Sequence, residues 1–415
     1  MDAQFDLKTK VLAVKAVDSK TAHDYREIVN QVLDEHGIKE KTFSFSTDNE
    51  PSMLKAFCCD IRNGCICHIQ SKACQKATGS TKLLRKTRKK FRAIARKANK
   101  SPKFSRAIVK TQKSSGVKVR TLKQEVKTRF TATHTMFRSF ANDPDDNSGE
   151  DINISKVKEI IKCINDAMVA SLNKKDVEKL KIAEQDVNVL VNLLPLLDYM
   201  EEGINLLGGQ KYCSGSVALP FLCKFLQALE SNEDDPIYLA KFKEVLSTEL
   251  VTRCKKNLNF MLLAKSSLCD KRFSKLTFLD YLNKAKVTEL KKSNVLDAAR
   301  EEISDMVAVD DIVAQSEPPP TKKKRFLDDF EDDPPVKVSA LEQFEIFLKE
   351  SPIQSSECPF KWFKMRLGVY PDFSKFAAKY LSVQVGLNRF IISKLFYWNL
   401  FAHLFFRLQV LLLKE

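Results

Sequence analysis

The sequence predicts an α/β segment followed by a long all-helical region, and three observations carry that expectation. Residues 9 to 47 hold two short β-type runs on either side of a helix-type run. From residue 152 onward, apolar residues recur at helical spacing. Two turn-rich, charged stretches, 142–151 and 316–336, separate the pieces. At 415 residues, with roughly 150 per domain, two or three domains and a sizeable core are expected.

The run TKVLAVKAV, residues 9 to 17, is rich in Val and Ala between polar flanks and predicts a strand. A helix follows. Thr21 can cap it, Asp24 sits in the favourable first turn and Gly37 closes it. Between them Tyr25, Ile28, Val29, Val32 and Leu33 form one apolar face. The run TFSFST, 42 to 47, alternates with period two and delivers Asp48 at a strand end. Folds of this order bind ligands at the carboxyl ends of their strands. A carboxylate held there by rigid backbone suits a hard divalent cation, so Asp48 is the candidate catalytic residue.

Cys58, Cys59, Cys65, Cys67, His68 and Cys74 cluster locally. Structural zinc takes two separated pairs of ligands, and only Cys65 with His68 makes a clean pair, so packing is expected and no metal is assigned. From Thr81 to Phe130 there are nineteen Lys or Arg against one acid, Glu125. Lys82, Arg85, Lys86, Arg88, Lys89, Lys90, Arg92, Arg96 and Lys97 lead the run, and Arg129 lies near its end. Such a face cannot neutralise itself with i, i+4 pairs, while Leu84, Phe91, Ile94 and Ala95 can seat it on the domain. Nucleic-acid binding through phosphate contacts, with little base specificity, is the expectation; a solvated helix face is the bland alternative.

Past the acidic linker, Val157, Ile160, Ile161, Ile164, Met168 and Leu172 keep one helix face, and Phe221, Leu222, Phe225, Leu226 and Leu229 another. Residues 316 to 337 are dense in Pro and charge and predict a disordered tether. Within it Lys322, Lys323, Lys324 and Arg325 form a nuclear-localisation pattern. An aromatic block follows, containing Trp362, Phe363, Tyr370, Phe376, Tyr380 and Leu381. The last piece, 385–415, is rich in Leu and Phe but broken by Lys394, His403 and Arg407. A centrally placed charge costs about 2.5–3.5 kcal/mol on insertion scales, so a membrane anchor is not expected.

The net charge of +16 favours a polyanionic partner or an acidic membrane surface. Eleven cysteines, with no apolar leader in MDAQFDLKTK, predict a reducing compartment and thiols rather than disulfides.

The stretch from Ser46 to His68 resembles the core of hAT-family transposases. There a strand ending in Thr-Asp-Asn precedes a helix with Met-x-Lys-Ala and then Cys-x-x-His. The matching residues are Thr47, Asp48, Asn49, Met53, Lys55, Ala56, Cys65 and His68. VKTRFTATHTMF at 126 to 137, LCDKRFSKL at 268 to 276 and FKWFKMRLGVYPDFSKFAAKYLSV at 360 to 383 follow in the family's order. The resemblance implies an incomplete ribonuclease H-like fold, α/β plus all-α, with a large helical insertion domain.

The implied division is a partial core with the basic segment at 1–141, the helical insertion at 142–315 and the linker at 316–337. A truncated dimerisation region at 338–384 follows, and the resemblance stops there, which makes 385–415 a non-homologous hydrophobic tail. The family's metal-dependent DNA cleavage and strand transfer use an Asp-Asp-Glu triad, of which Asp48 alone can be placed. Only Asp2 and Asp6 precede the first strand, and the tail holds no acid before Glu415. The resemblance also makes Cys65 and His68 structural, and puts Phe130 after Thr128 and Arg129, where the family has Trp. It assigns dimerisation to the aromatic block, whose composition suits an intramolecular cap equally. The expectation is therefore a degenerate, transposon-derived nuclear protein without strand-transfer activity or cofactor, with DNA as partner, possible homodimerisation, no membrane and no small-molecule substrate. The alternative is an active transposase using Mg²⁺ or Mn²⁺.

Overall fold

The computed structural model describes residues 5–8, 12–15, 19–126, 131–141, 152–209, 212–314 and 338–386, with backbone alone over 307–314. The two linkers, Thr128 to Phe130, the Lys322 to Arg325 run and the tail from 387 lie outside the described residues. Among those described, the chain is mainly helical with one two-stranded sheet. In order the elements are α1 (Ala22–Glu35), β1 (Phe45–Thr47), α2 (Pro51–Ala56), β2 (Arg62–Gly64), α3 (Ile66–Ala77), α4 (Lys82–Lys100), α5 (Pro102–Ser114), α6 (Ala132–Ala141) and α7 (Ile154–Ser171). Then come α8 (Lys174–Leu180), α9 (Glu184–Leu207), α10 (Ser214–Ala228), α11 (Ile237–Asn257), α12 (Phe260–Cys269), α13 (Phe278–Lys284), α14 (Lys292–Ala314), α15 (Ala340–Lys349), α16 (Pro359–Lys364) and α17 (Phe373–Leu381). No helix among the described residues is long and apolar enough to cross a membrane.

The chain divides into two compact units that do not follow the linear order. Unit 1 comprises Met1–Cys65, Leu207–Cys223 and Asn257–Glu415; unit 2 comprises Ile66–Leu206 and Lys224–Lys256. The basic segment and the start of the helical region, expected on either side of a boundary at 142, thus share unit 2. Tertiary packing joins them, for α5 lies along α7 and Thr111 Oγ1 donates to the Cys163 carbonyl at 3.0 Å.

In unit 1, α1 begins as its sequence dictates. Thr21 Oγ1 accepts from Asp24 N–H at 3.2 Å, and Gly37, at φ +60°, takes the left-handed conformation that ends the helix. Tyr25, Val29 and Leu33 pack with Ile38, Phe45, Met53 and Phe57 into a small core. β1 pairs in parallel with β2, Phe45 opposite Arg62 and Thr47 opposite Gly64. The α/β part is smaller than expected. The stretch 12–15 forms no strand, and Leu12 instead leans on the α1 core. A strand needs a partner for its backbone donors and acceptors, and a run of Val and Ala supplies propensity but no partner.

The C-terminal part of unit 1 is built on aromatic rings. Phe347 meets Trp362 edge-on at 5.7 Å and Phe363 at 5.8 Å, and Trp362 stacks with Tyr370 at 5.8 Å. Phe376 meets Tyr380 at 4.7 Å. Trp362, Phe363, Tyr370, Phe376, Tyr380 and Leu381, the expected dimer contacts, are each at most 4% exposed. They are buried within this chain, where α17 packs against α12 and α15 and the aromatic rings pack on one another.

Beneath these rings lies Lys271, fully buried. Its ammonium donates to the Phe347 carbonyl and sits 4.2 Å from the centre of the Phe347 ring. Burial pushes the Lys271 ammonium down to about 8. Because the unfolded chain holds this proton more tightly, stability is expected to rise with pH from about 8 to about 10.5, by on the order of 3 kcal/mol. Urea unfolding across that window checks it, and Lys271→Met should flatten the rise.

Candidate nucleic-acid interface

The interface is built on α4. Thr81 Oγ1 caps it, accepting from Leu84 N–H at 3.2 Å, and nineteen residues give it a length of ~28 Å. Leu84, Thr87, Phe91, Ile94, Ala95 and Ala98 are buried and share one side. Phe91 meets the rings of Phe137 and Phe140 on α6 at 5.5 and 4.6 Å. Burying each large apolar side chain contributes on the order of 2 kcal/mol, enough to seat a helix whose opposite face is strongly charged.

The ten cations of α4 divide into two groups. Arg88, Lys90, Arg92 and Lys97 flank the buried side and are half-buried. Arg88 places Nε and Nη2 on Glu125 Oε1 at 2.9 and 2.7 Å, and Arg92 Nε lies 3.9 Å from Glu125 Oε2. Lys90 bonds to Asp186 on α9 and to the Lys181 carbonyl at 3.1 Å; Lys97 bonds to Asp176 on α8. These four anchor unit 2 and are not available to a partner. Lys82, Arg85, Lys86, Lys89, Arg96 and Lys100 are all exposed, with no acidic partner among the described residues. At 3.6 residues per turn they fall within roughly a third of the helix circumference, opposite the buried face.

Ser101 ends α4 and caps α5, accepting from Phe104 N–H at 3.3 Å. Lys103, Arg106, Lys110 and Lys113, spaced three and four apart, are exposed on α5 and likewise lack an acidic partner among the described residues. These four and Lys100 lie outside the residues that lead the basic run in sequence, although the three-and-four spacing past Pro102 marks the α5 cations. The aromatic residues of the two helices, Phe91 and Phe104, are both fully buried, so neither outward face offers a ring for a base to stack on.

Asp48 belongs to unit 1, where β1 places it at the strand end as expected. Its Oδ1 accepts from Glu50 N–H at 3.2 Å, closing the turn into α2. Arg62 braces the same turn. Its guanidinium donates to Thr47 Oγ1 at 2.7 Å, to the Asp48 carbonyl at 2.6 Å and to Asn49 Oδ1 at 3.3 Å. Among the described residues no group of three His, Cys, Asp or Glu is placed to hold a metal ion. Asp6, one of the two upstream acids, lies 3.5 Å from Lys364 Nζ; Asp2 lies outside the described residues.

Cys65 is buried at the end of β2, its N–H donating to the Thr47 carbonyl at 2.8 Å and its carbonyl accepting from Asn49 Nδ2 at 3.0 Å. His68 is half-buried on α3, in unit 2. The motif residues Thr47, Asp48, Asn49 and Cys65 thus form one hydrogen-bonded joint between β1 and β2. Gly64 lies within it. A Cβ there would meet the Asn49 amide oxygen and the Asn257 carbonyl, the latter at 2.8 Å. Gly64→Ala is therefore expected to cost about 1–3 kcal/mol or more, read as a lower urea midpoint, and Asn49→Ala in the same chain should recover part of it.

Compared with known proteins, the sequence matches no protein-family model and no curated protein.

Proposed function

We propose that this chain is a transposon-derived nuclear protein of the hAT type that binds nucleic acid through phosphate contacts and carries out no strand transfer. The cation stripe along α4, continued on α5 and without an acidic partner among the described residues, carries this reading. Cations that serve folding find carboxylates, as Arg88, Lys90, Arg92 and Lys97 do. The six that point outward from one helix face repel one another, an arrangement that a polyanion relieves. The absence of outward aromatic residues on α4 and α5 favours contact with the backbone over readout of bases.

The test is electrophoretic mobility of random duplex DNA across a salt series. Contact by the six α4 cations gives a slope of log affinity against log salt of about −5. A slope near zero overturns the reading.

The hAT assignment rests on the motif residues at Asp48 and Cys65 and on the later stretches in family order, and an incomplete ribonuclease H-like core is part of the same proposal. Asp48 acts in this reading as a turn-forming residue, its carboxylate satisfied by Glu50 N–H and its carbonyl by Arg62. Two-metal chemistry requires further carboxylates that the family resemblance cannot place in this sequence. Incubating supercoiled plasmid with the protein and Mg²⁺ or Mn²⁺ is expected to leave it intact. Metal-dependent nicking that disappears in Asp48→Ala would establish the active transposase instead. Any homodimer would use surfaces other than the six buried side chains of the aromatic block.

A further inference from the structure

We propose that Cys58 and Cys59 form a vicinal dithiol site that captures a monosubstituted trivalent arsenical, binding it between the two sulfurs. The inference does not rest on nucleic-acid binding. Of the eleven cysteines, eight are buried and Cys358 is half-buried; only this adjacent pair is exposed. The pair sits in the short connection between α2 and β2, and that connection is held at both ends. Phe57 before it is 1% exposed in the α1 core, and Asp60 after it accepts from Arg26 Nη1 at 2.6 Å. The thiols therefore face solvent from a fixed loop rather than from a free end.

Their geometry selects the ligand. The Sγ atoms stand 3.6 Å apart. Two bonds of about 2.3 Å to a soft centre, opened to a near-tetrahedral angle, span about 3.7 Å, so one bridging atom fits with little movement. A direct disulfide fits worse. The described chain has no cis peptide, so adjacent Cα atoms stand about 3.8 Å apart, below the range of about 4.4–6.8 Å that unstrained disulfides use.

Zinc fits worse too, since it takes four ligands and no third His, Cys, Asp or Glu joins the pair among the described residues. A trivalent arsenic that already carries one carbon substituent needs two sulfurs and no more. The thiol of Cys59 is held above its ordinary range by its hydrogen bond with Cys58.

The step balances without an oxidant. An aryl arsenic oxide reacts with both thiols, two As–S bonds form, and the arsenic–oxygen bond breaks. The oxygen leaves as water with the two thiol protons, and arsenic stays trivalent. The experiment incubates the full chain with one equivalent of phenylarsine oxide in excess glutathione and measures intact mass. One phenylarsenic group per chain is expected, stable to glutathione and removed by 2,3-dimercaptopropanol. Cys58→Ser and Cys59→Ser should each lose the adduct with unchanged circular dichroism, while Cys358→Ser keeps it. An adduct that persists in Cys58→Ser or Cys59→Ser, that glutathione displaces from the natural chain, or that never forms would each overturn the proposal.

Discussion

Replacing Lys82, Lys86, Lys89 and Arg96 together by alanine is expected to lower the affinity for random duplex DNA roughly a thousand-fold near 0.1 M salt. The same replacement should reduce the salt slope by about 3.6. Both figures follow from counterion release, in which each neutralised phosphate contributes about 0.9 to the slope. The four side chains are exposed on one face of α4 and support nothing in the fold, so circular dichroism and the unfolding midpoint should hold. Lys90→Ala and Lys97→Ala provide the contrast. Each removes a cation from the same helix and changes net charge, but each of these cations is already paired, with Asp186 or Asp176. Their slope should stay near that of the natural chain while stability falls. If all six replacements acted alike, affinity would follow overall charge and the stripe would have no special role. If none changed affinity, the stripe would be a solvated face only.

Glu125→Gln is expected to destabilise unit 2 by about 3–5 kcal/mol, the usual consequence of removing one partner from a buried ion pair. Glu125 is 4% exposed and accepts from both Arg88 nitrogens and from Thr133 Oγ1 at 2.6 Å, with Arg92 close by. Glutamine keeps the shape and removes the charge. Two half-buried guanidiniums would then face each other without this counter-ion, on a helix that already carries six cations with no acidic partner among the described residues. Urea unfolding reads the loss. Combining Glu125→Leu with Arg88→Met and Arg92→Met should recover most of it, because apolar replacement removes all three charges together. A small effect of Glu125→Gln would mean that solvent reaches these arginines.

The two expectations meet on a single helix and explain why its sequence could be only half understood. The apolar spacing of Leu84, Phe91 and Ile94 identifies the buried side of α4, and the buried residues fall where that spacing puts them. The basic run is equally plain. The partners of Arg88, Lys90 and Lys97 lie 37, 96 and 79 residues away, so no local pattern separates anchoring cations from outward ones. The i, i+4 argument correctly finds no acid within the helix, and the acids come from elsewhere in the fold. The aromatic block behaves in the same way. Trp362, Tyr370 and Tyr380 suit a core and an interface equally, and only their burial against Phe347 and α12 assigns them to the core.

Short-range order was determined by the sequence alone: the Thr21 cap and Gly37 stop of α1, the helical faces of α4 and α7, and the strand that ends at Asp48. Caps, turns and helix faces depend on residues within a turn or two of one another, and that information is local. Tertiary structure decided the rest. It left 12–15 without a strand, paired three residues of β1 with three of β2, grouped the basic helix with the helices beyond residue 151, and neutralised four of the ten α4 cations. Each of those outcomes depends on which distant group arrives to complete a hydrogen bond or balance a charge, and the order of residues along the chain does not specify that.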